Sequence, residues 1–88
     1  MLVKFKPTFL KDLEVLPDDI HERVSAFVFD TLPAAESLRE LQNIKRLHGF
    51  KDRYRFKTGD YRVGFELRDK EIIIHRVLHR SKIYRYFP

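Results

Sequence analysis

Residues 53–79 read RYRFKTGDYRVGFELRDKEIIIHRVLH. From Tyr54 to Lys57, and again from Tyr61 to Arg68, apolar and polar residues alternate, the period of a strand with one buried face. Tyr54 and Phe56 turn inward in the first run, with Arg53, Arg55 and Lys57 on the opposite face. In the second run Tyr61, Val63, Phe65 and Leu67 share one face, and Arg62, Gly64, Glu66 and Arg68 the other. Thr58-Gly59-Asp60 between the runs reads as a tight hairpin turn. Asp69-Lys70 leads into Glu71 to His79, an apolar run that predicts a strand near the sheet centre. The stretch is therefore an antiparallel meander.

Toward the N-terminus, Leu2 to Lys6 alternates as a strand and Pro7-Thr8 punctuates it, with Thr8 as a helix cap. Phe9, Leu13 and Leu16 repeat at i, i+4 and i+7, one apolar helical stripe. Pro17 ends that helix. Pro17-Asp18-Asp19 opens the next, with acidic residues suited to its first turn. Ile20, Val24, Phe27 and Thr31 mark the face of this second helix. A short helical turn falls around Ala34 to Leu41, an edge strand at Ile44 to Leu47, and a break at His48-Gly49. Ile83 to Phe87 is a short tail. Strand, two helices and meander predict a two-layer α+β domain over residues 1–88: an N-terminal helical hairpin packed on a mostly antiparallel, twisted sheet of four to five strands. One sheet face buries against the helices, and the other is left free to be basic.

Eighty-eight residues make one domain with one modest core. With no cysteine there is no disulfide, thiolate metal site or thiol nucleophile. No long apolar run precedes a cleavage site and none approaches a membrane span, so the expectation is a soluble, cytoplasmic protein with no membrane partner. Gly-rich phosphate loops, EF-hand, HExxH and zinc-finger spacings are missing. His75 and His79 are four apart. On a regular strand they share a face about 13 Å apart, at roughly 3.3 Å per residue, too far to hold one metal. No metal or other cofactor is expected. His75 reads as structural.

Charge is unevenly distributed. Residues 46–88 carry twelve Lys/Arg against five Asp/Glu, and residues 1–45 six against eight. The basic excess lies in the strand-like stretches and in the tail SKIYRYF. A sheet presenting Arg, His and Tyr together is a surface suited to RNA.

The chain resembles the RelE/ParE toxin superfamily of toxin–antitoxin pairs over nearly its whole length. The resemblance runs from FLKDLEVLP through KRLHGFKDRYRFKTGDYRVGFEL to IIHRVLHRSKIY, and its most specific part is Leu47 to Tyr84. It implies two N-terminal helices on a mostly antiparallel sheet, with the first strand beside the last. It also implies the activity of RelE-like mRNA interferases, which enter the ribosomal A site and cut mRNA there. Arg62 matches the family's central arginine at the scissile phosphate, Arg80 the second arginine after the final strand, and Tyr84 the tyrosine lying against the substrate base. Arg55 and Lys57 match a basic pair that is two lysines in the archetype. An arginine stays charged, so a general base at position 55 is disfavoured. His79 falls where such sequences carry lysine or histidine. Arg53, Lys82 and Arg85 complete the expected RNA-binding set. The implied partners are a RelB-like antitoxin, the ribosome with mRNA in its A site, and operator DNA through the antitoxin complex.

Metal-free RNA cleavage turns the ribose 2′-OH on its neighbouring phosphate and needs a base, positive charge at the phosphoryl oxygens and an acid for the leaving 5′-oxygen. Arg62 and Arg80 suit the second task. Lys57 or His79 serves as base or acid, the two roles unassigned between them. Tyr84 either stacks on a base or packs at the sheet edge. Tyr86 and Phe87 pack or touch the antitoxin, and Phe29 and Phe50 are candidates for a seam that receives an antitoxin helix. Two other functions stay open: a ParE-like, non-enzymatic gyrase inhibitor, and an inactive antitoxin-binding or co-repressor module.

Overall fold

The computed structural model describes all residues, Met1–Pro88. Strand β1 (Leu2–Phe5) is followed by helices α1 (Pro7–Glu14) and α2 (Asp18–Ala26). A wide π-helical turn, Phe27–Thr31, carries α2 on into α3 (Leu32–Ala34). A 3-10 turn at Leu38–Glu40 precedes β2 (Ile44–Arg46), β3 (Arg53–Thr58), β4 (Tyr61–Arg68), β5 (Glu71–His79) and the one-turn helix α4 (Ile83–Tyr86). The sheet order is β1-β5-β4-β3-β2, with β1 parallel to β5 and every other pair antiparallel. The expected α+β architecture holds, with five strands and the first beside the last. No helix is long and apolar enough to cross a membrane.

The core lies between the helices and one sheet face. Phe9 and Leu13 of α1 and Ile20, Val24, Phe27, Val28 and Leu32 of the second helical run meet Val63, Phe65, Ile72, Ile74 and Val77. Burying each such side chain contributes about 1.5–3 kcal/mol. Phe27 stacks flat on Phe56, and Tyr54 on Phe65, which confirms the inward face of β3.

Several local expectations are corrected. Thr31 was expected on the buried helix face but is exposed, and Leu32 takes its place. The apolar repeat 20, 24, 28, 32 advances by fours, which a 3.6-residue turn would rotate off the core, and the wider turn restores the alignment. Thr8 is not the cap of α1. Lys6 holds that position with Pro7 at the first turn, and the Thr8 hydroxyl instead donates to the His75 carbonyl at 3.3 Å. The helical turn expected over Ala34 to Leu41 contracts to Leu38–Glu40, held by a Ser37/Glu40 capping box.

The largest departure is in β5. Phe65 pairs with Ile74 but Gly64 pairs with Arg76, so His75 is an extra residue, a β-bulge. It inverts the alternation, and both Ile74 and Val77 face the core. His75 and His79 therefore do not share a face. His75 turns to Glu66 and Phe87, whereas His79 sits edge-on to Tyr61.

Nor is the outer sheet face wholly free. The tail folds over it and buries Ile83 and Phe87. Phe87 packs on Gly64, where the missing side chain makes the room.

Candidate functional site

The cleft is assembled by the β3–β4 hairpin and the turn after β5. Lys57 lies directly across from Arg62, and Arg55 across from Gly64, so the outward residues of the two strands form adjacent rows. Asp60 of the hairpin accepts the Arg80 main-chain N–H at 2.7 Å, tying the turn after β5 to the hairpin. Between them opens a cleft of about 480 Å³ lined by Arg55, Arg62, His79, Arg80, Ser81 and Tyr84.

Three guanidiniums meet there with little negative charge to oppose them. Arg62 Nη1 donates to the Gly59 and Tyr61 carbonyls at 2.9 and 3.0 Å and has no carboxylate partner. Arg55 Nη1 donates to the Asn43 carbonyl at 3.2 Å. Arg80 Nε lies 3.5 Å from Asp60 Oδ1, both side chains being mostly exposed, so this pair is loose and solvent-screened. Carbonyl contacts orient a guanidinium while leaving its charge unneutralised, the condition for receiving an anion. Tyr84 is 55% exposed at the rim of the cleft. His79 Nδ1 lies 2.9 Å from Ser81 Oγ and accepts the Ser81 main-chain N–H at 3.1 Å.

The other expected residues stand outside this cleft. Lys57 is exposed beside Arg62 on the neighbouring strand. Lys82 lines a smaller cavity of about 200 Å³ with Asp12, Tyr61 and His79. Arg85 projects from α4 without an ion pair. Arg53 is committed elsewhere, 3.0 Å from Asp52 and 3.2 Å from Glu66. Glu66 is 3% exposed at the centre of a cluster with Arg53, Arg68 and His75. Burial pushes its carboxyl up. Hydrogen bonds from His75 and Arg68 and the charges of Arg53 and Arg68 outweigh that and hold it at about 2. An apolar groove of about 370 Å³ beside Phe27, Leu41 and Phe56 contains none of the expected residues. No three His, Asp or Glu side chains converge as a metal-binding group.

Sequence reading missed Ser81, Asn43 and Asp60, which orient cleft residues through main-chain or short side-chain contacts. A serine two residues after a histidine carries no signal of its own. Gly64, alone in an otherwise alternating strand, was the one legible hint of a close approach.

A family model described as the ParE toxin of the type II toxin–antitoxin system parDE matches residues 3–84. Toxin RelE3 of Methanocaldococcus jannaschii is 40% identical over 89 residues, covering 100% of both chains. Among solved structures, the toxin in the RelB–RelE antitoxin–toxin complex from Methanococcus jannaschii superposes with a TM-score of 0.81 at 38% identity, over 97% of this chain and 99% of that one. The archaeal RelE–RelB complex from Pyrococcus horikoshii OT3 gives 0.70 at 31% identity, over 93% and 97%.

Proposed function

The chain belongs to the RelE/ParE superfamily of toxin–antitoxin toxins, and from that premise we propose that it is a ribosome-dependent endoribonuclease that cuts mRNA in the ribosomal A site and so inhibits translation. The observation that carries the reading is the gathering of Arg55, Arg62, Arg80, His79 and Tyr84 around one open cleft.

The reaction is attack of the ribose 2′-oxygen on the adjacent phosphorus. The P–O5′ bond breaks, leaving a 2′,3′-cyclic phosphate and a free 5′-OH. The transition state gathers charge on the phosphoryl oxygens, and Arg62 and Arg80 meet it there, supported by Arg55. Lys57 or His79 moves the proton. Tyr84 stacks on the nucleobase and sets the 2′-oxygen in line. DNA lacks the nucleophile and is not cut. The charge compensation is assigned to the guanidiniums. A RelB-like antitoxin is the proposed partner, by analogy with the relatives solved as RelB–RelE complexes, and operator DNA is reached through that complex. Exposed Phe29 and Phe50 are offered as part of the antitoxin contact.

The test is a reconstituted translation reaction on defined mRNA, with and without ribosomes, read by primer extension. Wild type is run beside Arg62→Ala and Tyr84→Phe. Discrete cuts that need ribosomes and vanish in Arg62→Ala support the reading. Intact mRNA together with inhibited gyrase supercoiling would move the chain to the ParE branch, which the matching family model keeps as the second reading.

A further inference from the structure

Two groups of one residue meet one nitrogen of His79. The Ser81 main-chain N–H lies 3.1 Å from Nδ1, and the Ser81 hydroxyl lies 2.9 Å from the same atom. A main-chain N–H is only ever a donor, so Nδ1 presents its lone pair there. In the neutral ring the single proton then resides on Nε2. Nε2 has no hydrogen-bond partner within the protein, and the ring lines the cleft with Arg62, Arg80 and Tyr84. Tyr61 meets the ring edge-on, 5.5 Å between ring centroids.

We propose that Ser81 is the positioning residue of the cleft: by engaging Nδ1 it fixes His79 as the Nε2–H tautomer and makes the ring a hydrogen-bond donor toward the bound phosphodiester, not a base. The inference rests on the mRNA-cleaving reading of the same cleft and deepens it, because it divides the roles left open between His79 and Lys57. A base acting through Nε2 requires the neutral ring to carry its proton on Nδ1, where it would face the Ser81 N–H. His79 therefore falls on the side of phosphate and leaving-group stabilisation, and activation of the 2′-OH falls to Lys57 or to a group of the ribosome. The hydroxyl, 2.9 Å from the same Nδ1, donates to the neutral ring as a second hold on it.

The experiment uses the full chain, wild type beside Ser81→Ala and Ser81→Thr, each first checked for an unchanged far-UV spectrum. Long-range proton–nitrogen correlation NMR reads the His79 ring nitrogens without any RNA. The expected result is an unprotonated Nδ1 and a protonated Nε2 in neutral wild type and also in Ser81→Ala, where the main-chain N–H remains, with the ring signals broadened in Ser81→Ala by loss of the hydroxyl and sharp again in Ser81→Thr. In ribosome-dependent cleavage Ser81→Ala lowers kcat roughly tenfold with KM unchanged, the scale of one lost orienting hydrogen bond, and Ser81→Thr restores it. A neutral ring protonated on Nδ1, or a Ser81→Ala protein whose ring nitrogens and kcat both match wild type, overturns the proposal. If wild type cuts no mRNA, the functional reading fails and with it the catalytic role. The ring nitrogens still decide whether Ser81 positions His79.

Discussion

The Phe87 ring lies so close over Gly64 that a Cβ built at position 64 finds three ring atoms within 2.8 Å. The contact joins the middle of β4 to the last turn of the chain, and Tyr84 lies within that tail. Gly64→Ala should expel the ring, destabilise the fold by about 1–3 kcal/mol as overpacked sites do, and free the tail. Urea denaturation gives the first number. Limited proteolysis should show faster loss of the C-terminal residues, and mRNA cleavage should fall although no cleft-lining side chain has changed.

Acid should weaken the protein through Glu66. Its carboxyl sits at about 2 in the fold against an ordinary value of 4.5. A depressed carboxylate contributes stability above its unfolded value, and that contribution is lost as pH falls from about 4.5 through about 2. The loss is on the order of 3 kcal/mol. Chemical denaturation across this range should show the decline. Glu66→Gln should flatten it and be less stable than wild type at neutral pH, because Arg53 and Arg68 then face each other without their shared anion.

Asp12 of α1 holds the far end of β5. Its carboxylate takes Arg76 Nε at 2.7 Å and Nη2 at 3.0 Å and also accepts the Val77 main-chain N–H at 3.2 Å. The pairing raises Arg76 above the ordinary guanidinium value, the Asp12 hydrogen bond outweighing partial burial. Asp12→Ala leaves a half-buried charge and a backbone donor unmet together, and should cost roughly 3 kcal/mol. Exposed Lys4 with Glu71 is the control, since breaking that surface pair by Lys4→Ala should cost under about 1 kcal/mol. Denaturation midpoints of the two variants separate the cases.

Arg62→Ala and Asp60→Ala should also part company. The Arg62 guanidinium bonds only to two carbonyls, so its loss should leave stability within about 0.5 kcal/mol of wild type while cleavage drops by about 10²–10³. Asp60→Ala removes the loose carboxylate partner of Arg80 but keeps the main-chain carbonyl that holds the turn. Cleavage should fall only modestly, about two- to fivefold, from a less fixed Arg80. Single-turnover rates with saturating ribosomes compare the two.

The elements were legible where side chains alternate cleanly. β4 separates Tyr61, Val63, Phe65 and Leu67 from Arg62, Glu66 and Arg68, and the structure keeps both sets on those faces. β5 was legible as a strand but not in register. Its run of apolar residues is compatible with either face, so nothing in Ile72 to Leu78 announces the extra residue at His75. The basic character of the cleft was readable from Arg55, Arg62 and Arg80. The commitment of Arg53 to Glu66 was not, because a charged residue on a polar strand face shows no sign of the buried anion across the rung. Long-range packing of a short tail onto a strand glycine was equally hidden, since Phe87 lies 23 positions beyond Gly64.

Helix α1 lies against β5 where β1 has already ended. There the Thr8 hydroxyl and the Asp12 carboxylate occupy the His75 carbonyl and the Val77 N–H, groups that a sixth strand would otherwise bind. Two side chains thus act as a shutter on the longest strand of the sheet. Open strand edges recruit other chains, and this one is closed by residues that have no part in the cleft. A substitution at Asp12 would therefore do more than loosen the fold. It would expose a template on which copies of the chain could add to one another as growing sheet, so that colloidal behaviour at high concentration, and not activity, would be the first property to change.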